Sequence, residues 1–412
     1  MTCILKSALS RCKLHSIALL ATAFLLYSSN ARAITIKLDY TYDTLNGTGF
    51  FAAGNPNGAA SGAQAKVALE AAAGFFSGIL NDTFSGVTIP PDFPSQTFNG
   101  VAFWDTTLQF TNPTTGSTVT LNSQIRAADE YRIYVGARDQ GGSTLGRGGS
   151  TGAGWSQNFT GDGFTPNEVA QINAINAAFE TAVETRGEPF GFSAWGGTLS
   201  FDSVGTTWHY NHTTAPTAGT NDFYSVAIHE LGHALGLGAS PQWSAFAGGS
   251  HFTGPAATAE YGSNPPLEFP NPTRAHWASS TMSTAFGTTT AQEAAMDPEI
   301  TQGTRKFFTD LDAAALTDVG WEVAAPTPAF HPADFNMNGA VNNGDLTTWK
   351  AQFGTGSGAD ADDDGDSDGA DFLIWQRSLG ASPPITAVPE PGAFVIAALG
   401  AALLMRCQRR AA

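Results

Sequence analysis

The sequence predicts a mixed α+β domain followed by a small all-α unit, and three observations indicate this division. Between residues 34 and 323, segments in which apolar residues alternate are interspersed with segments in which they recur at helical spacing. Residues 324–332 are rich in proline, as linkers are. Beyond them, residues 333–381 contain two similar loops, each followed by matched apolar positions.

The first block, residues 34–323, combines both periodicities. Ile34 to Tyr40 alternates as a half-buried strand does, whereas apolar side chains between 65 and 81 recur at helical spacing. Pro166 stands in the first turn of an amphipathic helix over 167–183. The remaining predicted elements are strands at 118–121, 131–135 and 196–202 and a helix at 222–235.

Composition and charge restrict the class of protein. The 412 residues carry a formal net charge of −17, which excludes nucleic acid as a partner because phosphate binding needs a basic face. With 46 glycines and only 13% charged residues, the chain has the composition of a loop-rich extracellular protein. The three cysteines lie at positions 3, 12 and 407. Residues 13–406 contain none, so no disulfide can form within that part of the chain.

Residues 1–33 have the pattern of a secretory signal peptide. Basic residues up to Lys13 precede an apolar run from Ile17 to Tyr27, and Ala31-Arg32-Ala33 supplies a small-x-small cleavage site. Because the run has about half the ~20 residues of a spanning helix, cleavage is favoured over membrane anchoring. We therefore expect an exported protein, at the cell surface or outside the cell.

The helix predicted at 222–235 contains the motif His229-Glu230-Leu231-Gly232-His233. Histidines at i and i+4 face the same way on a helix and can bind one zinc ion. Glu230 lies beside them, where it can take a proton from a water whose pKa the zinc lowers. An exposed helix with two surface histidines is the alternative, but apolar residues surround the motif, Asn221-Asp222 offers a cap, and Gly236 and Gly238 permit a sharp exit.

Two segments, Gly196–Phe201 and Asp222–Gly238, resemble the core of matrixin-type metzincin metalloproteases. That clan has the motif HExxHxxGxxH, whose last histidine completes the zinc site. This chain keeps the glycine as Gly236 but has Ala239 in place of the last histidine. The resemblance implies a zincin-like catalytic domain, and the third ligand must come from another segment.

The third ligand is assigned by a second resemblance. Arg274-Ala275-His276-Trp277, followed by Ala295-Met296-Asp297-Pro298, is similar to leishmanolysin-like metalloproteases, in which an insertion precedes the histidine and a methionine turn lies beneath the metal. It implies His276 as third ligand and favours Met296 over Met282 as the turn methionine. The alternative ligands in the sequence are His251, Glu260, Glu293, His209 and His212.

The loops of the second unit have the ligand spacing of calcium sites. Each carries oxygen-bearing side chains at positions 1, 3, 5, 9 and 12 and glycine at position 6, and they start 26 residues apart. The alternative is a solvated acidic linker. Such a linker has no core to bury apolar side chains, so the matched Trp349 and Trp375 argue against it. The predicted ligands are Asp334, Asn336, Asn338, Ala340 (through its carbonyl), Asn342 and Asp345, and Asp360, Asp362, Asp364, Asp366, Asp368 and Asp371.

With aspartate at position 12, the doubled loop resembles dockerin modules. The resemblance implies a small all-α calcium-binding unit over 333–381. Such a unit docks a cohesin-like partner; a calcium-stabilised spacer is the alternative.

Residues 388–412 form a tail in three parts. Val388-Pro389-Glu390-Pro391 is followed by 14 mostly apolar residues from Gly392 to Met405 and then by Arg406, Arg409 and Arg410. The tail resembles the PEP-CTERM sorting signal of Gram-negative bacteria. The resemblance implies that a processing enzyme in the membrane cuts near 389–391, so that anchoring is transient; a retained C-terminal anchor is the alternative.

Together these features predict a secreted or surface zinc endopeptidase that hydrolyses peptide bonds of protein substrates, with zinc and calcium as its metals. The alternative is a non-catalytic, calcium-stabilised surface or matrix binding protein in which the zinc helix is degenerate. Ala239 motivates that alternative, whereas Glu230 argues against it because a structural zinc site needs no base.

Overall fold

A computed structural model describes residues 34–43, 49–188, 195–269, 274–324, 331–336, 340–356, 358–362 and 364–380. The predicted signal peptide (1–33), most of the linker, Asn338 and the tail (388–412) lie outside these residues. All described residues belong to one compact unit, Ala33–Thr386. Within the described ranges, no helix is both long enough and apolar enough to span a bilayer.

The described chain contains helices and strands in mixed order, which confirms the predicted α+β class. In chain order the helices are α1 (Ala59–Ile79), α2 (Pro166–Glu184), α3 (Phe223–Ala234), α4 (Pro241–Phe246), α5 (Pro255–Tyr261), α6 (Asp310–Asp318), α7 (Asn343–Gln352) and α8 (Gly369–Ser378). The strands are β1 (Thr35–Asp39), β2 (Phe93–Pro94), β3 (Val101–Thr111), β4 (Thr118–Asn122), β5 (Glu130–Arg138), β6 (Gly146–Ser150), β7 (Gly152–Thr160), β8 (Gly196–Asp202), β9 (Trp208–His209), β10 (Asn221–Asp222), β11 (Ala247–Gly248), β12 (His251–Phe252), β13 (Met282–Thr284) and β14 (Ala291–Glu293).

A four-stranded sheet in the order β1-β5-β8-β6 carries α1 and α3. β1, β5 and β8 are parallel, and β6 runs antiparallel to β8 at the edge. β5 and β8 are almost entirely buried, as strands covered on both faces are. The main hydrophobic core contains Phe76 of α1, Phe201 of β8 and Leu231 of α3, so the metal motif lies on a helix packed into the centre of the molecule.

α1 begins at Ala59, six residues before the predicted start. Its first turns consist of alanine, glycine and serine, which lack the apolar periodicity that marks the later turns. Gly62 is required there because a Cβ atom would lie 2.3 Å from the carbonyl oxygen of Ala52.

A second sheet joins β2, β3, β4 and β7, with β3 in contact with the other three. β3 alternates strictly, with Ala102, Trp104, Thr106, Leu108 and Phe110 buried on one face. Its buried face and α2 share a hydrophobic cluster. α2 starts at a capping box in which Thr165 and Glu168 satisfy each other's backbone N–H groups.

The described part of residues 331–380 contains two helices, α7 and α8, each preceded by one acidic loop. The matched tryptophans make matched bonds: Trp349 Nε1 donates to the Asp368 carbonyl (2.7 Å) and Trp375 Nε1 donates to the Asn342 carbonyl (3.0 Å). Each helix thus binds the backbone of the other loop, so the 26-residue sequence repeat is also a structural one.

Candidate metal centre

α3 begins at a capping residue and ends at two glycines. The Asp222 carboxylate caps the helix by accepting from Ser225 N (3.1 Å) and Ser225 Oγ (2.7 Å). At the other end Gly236 and Gly238 have φ values of 106° and 71°, a conformation that favours glycine. Gly238 also lies so close to residue 275 that a Cβ would be 2.2 Å from the Ala275 carbonyl oxygen. This close approach brings the segment containing His276 to the end of α3.

Three imidazoles meet at one point. His233 Nε2 lies 3.1 Å from His229 Nε2 and 3.1 Å from His276 Nε2. His229 and His233 come from successive turns of α3, and His276 comes from 43 residues farther along the chain. The three histidines form a cluster that could hold a metal ion.

The outer nitrogen of each ring has its own acceptor. His229 Nδ1 donates to the Ala295 carbonyl (2.7 Å) and His233 Nδ1 donates to the Leu237 carbonyl (2.8 Å). His276 Nδ1 lies 3.2 Å from Glu268 Oε2. Because a carbonyl oxygen can only accept, His229 and His233 carry their protons on Nδ1. Their Nε2 lone pairs therefore point at each other and toward His276.

Burial keeps these rings neutral. It lowers the pKa of His229 well below its usual value, lowers that of His233 to about 4 and lowers that of His276, although hydrogen bonding to Glu268 opposes the shift at His276. Neutral imidazoles with converging lone pairs repel one another unless a cation lies between them. Two nitrogens of a tetrahedral zinc site, each 2.0–2.1 Å from the metal, are roughly 3.3 Å apart, which fits the two 3.1 Å separations.

Glu230 lies against the edge strand β6. Its side chain is 5% exposed, and burial raises its pKa to about 8 despite a hydrogen bond from the Gly148 backbone N–H. β6 can approach this closely because its residues next to Glu230 lack side chains. A Cβ on Gly146 would lie 2.7 Å from Glu230 Oε1, and one on Gly148 would lie 2.1 Å from the Glu230 carbonyl oxygen.

Met296 lies beneath the histidines and is fully buried, whereas Met282 is 50% exposed in β13. A Cβ on Gly232 of α3 would be 2.6 Å from Met296 Sδ, so the sulfur packs directly on the helix between the two motif histidines. The residue before it, Ala295, accepts the His229 proton. Met296, and not Met282, is therefore the methionine that packs against the histidine-bearing helix.

The other candidate ligands lie elsewhere in the described chain, and none joins the three-histidine cluster. His251 is exposed and bonded to Ser250, and Glu293 is paired with Lys306 at 2.8 Å. His209 contacts the Asn211 carbonyl, and His212 stacks on Tyr224. Glu260 is an exposed residue of α5.

An open cleft of about 1330 Å³ runs past the histidines. The three rings, Glu230, residues 146–150 of β6 and residues 297–300 line it. Within the described sheet β6 is an edge strand, and the cleft extends along that edge. The main-chain groups of an edge strand are in general able to pair with an added extended segment.

In the second loop the predicted calcium ligands form two groups, Asp360-Asp362-Asp364 and Asp366-Asp368-Asp371. The charge of Asp364 is the main cause that raises the pKa of Asp366, as expected for carboxylates crowded without a cation. Asp371 is buried and accepts from Ala361 N (2.6 Å) and Asp368 N (2.6 Å).

The first loop is organised similarly around Asp345. This buried carboxylate accepts from Asn336 N (3.1 Å) and Asn342 N (2.7 Å), and Asp334 is also buried. The Ala340 carbonyl, predicted as a ligand, accepts from Asn342 Nδ2 (2.8 Å). Asn338 lies outside the described residues.

Sequence reasoning did not identify Glu268 or Asp312. Glu268 is the acceptor at His276, and Asp312 accepts from Ala295 N (2.8 Å), Met296 N (3.2 Å) and Trp277 Nε1 (2.8 Å). The spacing of Thr309 and Asp312 is that of a capping box, but nothing in the sequence indicates that the same carboxylate also reaches residues 277, 295 and 296.

Compared with protein-family models, with curated proteins and with solved structures, the chain matches none of them.

Proposed function

We propose that the chain is a zinc-dependent endopeptidase with a zincin-like main domain, in which His229, His233 and His276 bind zinc and Glu230 is the general base. The convergence of three neutral imidazoles, with Nε2 separations of 3.1 Å, is the observation that carries this proposal. The absence of a histidine at position 239 was the reason to regard the zinc site as degenerate. In this proposal His276 supplies the third nitrogen instead, so that reason no longer applies.

Zinc held there would act as a Lewis acid, lowering the pKa of a water and polarising a peptide carbonyl. Glu230 is suited to move the proton because burial brings its pKa to about 8, close to neutral pH, and a nearby cation favours its ionised form. The Gly148 N–H holds the carboxylate at the edge of β6. An extended substrate pairing with that edge would pass directly beside the base.

Two further properties belong to the proposal. The loops at 334–345 and 360–371 bind calcium, and two observations support this: the carboxylate clusters of the second loop and the repeated tryptophan bonds that relate the two loops. The terminal segments direct the chain out of the cell, with cleavage after the signal peptide and processing of the tail by a membrane enzyme. The cohesin-like partner stays a prediction from the resemblance to dockerins.

The test is zinc content and casein cleavage by the purified protein. We expect one zinc per chain and cleavage that a zinc chelator abolishes. Glu230→Gln keeps the shape of the side chain, so it should retain zinc while cleavage falls by about 10²–10⁴. Zinc binding without Glu230-dependent cleavage would overturn the endopeptidase assignment.

His276 is tested separately, with His251→Ala as the matched control because His251 is an exposed histidine outside the cluster. His276→Ala should lose zinc during dialysis, whereas His251→Ala should keep it. Equal zinc retention by the two variants would show that the third ligand is a different residue.

A further inference from the structure

The first loop of the repeat (residues 333–381) contacts the main domain (residues 34–323). Asn336 Nδ2 donates to the Thr213 carbonyl oxygen at 3.3 Å. Gly344 lies beside the same oxygen, since a Cβ there would be 3.2 Å from it and 2.4 Å from Asn336 Nδ2. The loop that accepts this contact, residues 211–214, directly follows β9 and Tyr210.

The contacted loop is tied to the start of α3. Arg305 donates to the Asn211 carbonyl (3.3 Å) and to the His212 carbonyl. The same guanidinium holds both oxygens of Asp222, with Nη2–Oδ1 at 2.7 Å and Nε–Oδ2 at 2.9 Å. Asp222 is the fully buried N-cap of the helix that carries the metal motif. Residues 211–213 are therefore bonded to Asn336 of the repeat on one side and, through Arg305, to the N-cap of α3 on the other.

A second path reaches the first turn of α3 at Tyr224. The Tyr224 ring stacks on His212 at 6.0 Å and lies 5.6 Å from the Arg305 guanidinium. Burial raises the pKa of the Tyr224 phenol, and the charges of Asp222 and Asp334 add to that increase.

The two loops differ at the positions that make this contact. Position 3 is Asn336 in the first loop and Asp362 in the second, and position 11 is Gly344 and Ala370. The Asn336 amide can donate to the Thr213 carbonyl and still offer an oxygen to a cation, whereas a carboxylate at this position cannot donate. A Cβ at position 344 would crowd this contact. The first loop has the residues that docking needs, and the second has ordinary acidic-loop residues.

We propose that the first loop, through Asn336 and Gly344, is an intramolecular docking element that braces residues 211–214 and, through Arg305 and Asp222, the N-terminal end of α3. An external partner of the repeat would then approach the second loop and its helix. This inference does not depend on zinc or on catalysis.

Hydrogen exchange on the full chain, with calcium alone as ligand, tests the proposal. In Asn336→Asp a carboxylate faces the Thr213 carbonyl, whereas a calcium ligand is retained as in the second loop. We expect exchange at residues 211–214 and 223–226 to rise roughly threefold to tenfold, the equivalent of one lost hydrogen bond. The matched variant Asp362→Asn should leave those amides unchanged.

For Gly344→Ala the control is Gly369→Ala, because the equivalent position is already Ala370 and a Cβ on the neighbouring Gly369 meets nothing within 4 Å. Only Gly344→Ala should raise exchange at 211–214, while protection of α8 shows that the repeat is folded. Unchanged exchange in both first-loop variants, or equal increases in the second-loop controls, would overturn the docking.

Disulfide trapping gives an answer that does not depend on stability. The cysteines of the chain, at positions 3, 12 and 407, lie outside residues 13–406, so peptide mapping distinguishes a cross-link between introduced thiols from one that involves them. Thr213→Cys with Asn336→Cys should cross-link in calcium, and Thr213→Cys with Asp362→Cys should not. Equal cross-linking of the two pairs contradicts the proposal, and zinc content of these variants reports separately on the metal centre.

Discussion

The buried carboxylate of Asp312 connects three segments around the histidine cluster. It receives hydrogen bonds from Trp277 beside the third histidine, from Ala295 and Met296 beneath the cluster, and from Thr309 N (3.0 Å) and Oγ1 (2.6 Å) at the start of α6. Ala295 in turn accepts from His229. Asp312 therefore positions two of the three histidines without touching either.

Asp312→Asn replaces one acceptor oxygen by an NH₂ group that faces other donors. We expect a loss of about 2–4 kcal/mol in the free energy of unfolding and a tenfold or greater fall in zinc affinity. Trp277→Phe removes one of these donors and also part of a fully buried ring, so it should lower the free energy of unfolding as well. Urea unfolding and competition with a zinc chelator measure the two quantities. An unfolding midpoint equal to that of the wild type would exclude this role.

Asp82 gives the stability of the protein a pH dependence at a site outside the cleft. Both of its oxygens accept from Glu322 N, at 3.2 and 3.0 Å, and burial raises its pKa from 3.8 to about 6. The folded protein binds this proton more tightly than the unfolded chain, so stability decreases as the pH rises from about 4 to 6. At neutral pH the ionised form costs up to about 3 kcal/mol.

Asp82→Asn keeps an acceptor for Glu322 N and cannot ionise. We expect this variant to have a higher thermal midpoint at pH 7 than the wild type. It should also lose the part of the decrease in stability between pH 4 and 6 that Asp82 causes. Asp92→Asn, at an exposed aspartate, is the control. The same decline in Asp82→Asn and in the wild type would show that other carboxylates cause it.

At the scale of elements, β6 and α3 fit together only because β6 lacks side chains on the facing side. Gly148→Ala would place a Cβ 2.1 Å from the Glu230 carbonyl oxygen, whereas a Cβ on the next residue, Gly149, meets nothing within 4 Å. We expect Gly148→Ala to push the edge strand away from Glu230, with at least a tenfold loss of casein cleavage and a lower thermal midpoint. Gly149→Ala should behave as wild type in both assays. Full cleavage by Gly148→Ala would contradict this packing.

The strands predicted at 34–40, 118–121, 131–135 and 196–202 correspond to β1, β4, β5 and β8, and two predicted helices are matched as closely. The amphipathic helix at 167–183 and the capped helix at 222–235 agree with α2 and α3 within one residue or two, because a cap and a repeated apolar face mark each. β3 was not predicted although it alternates strictly, so the signal was present. β6 and β7 together contain five glycines and show no alternation of apolar and polar residues. They are strands because they pair with β8 and β3, which the local sequence does not indicate.

At the candidate metal centre, the spacing of residues in the sequence was sufficient to identify His229, Glu230 and His233, because all three lie on a single helix. The position of His276 depends on a contact over 43 residues and on the close approach of Gly238 to Ala275, and no local pattern encodes either. Only the resemblance to known metalloproteases singled it out. Asp312 and Glu268 act through such long-range contacts as well, which is why they were missed.

On the scale of the whole molecule, the main domain and the repeat differ in how they are stabilised. The main domain has two hydrophobic clusters with many fully buried aromatic residues. Within the described repeat, the buried cluster consists of Ala333, Val341 and Trp375, with four partly buried neighbours. About 50 residues with so small a core need a further source of stability, and ion binding is the one that the acidic loops offer.

Removal of calcium should therefore unfold the repeat and leave the main domain folded. With a calcium-selective chelator we expect the amides of α7 and α8 to lose protection, because the carboxylates of Asp362, Asp364 and Asp366 repel one another when no cation is bound. The amides of β5 and β8 should stay protected, since they belong to the buried sheet of the main core. Asp371→Ala should reproduce the loss in calcium, because it removes the acceptor of Ala361 N and Asp368 N together with a predicted ligand. Protection of α7 and α8 that persists in chelator would mean that the tryptophan bonds and the small cluster hold the repeat together without an ion.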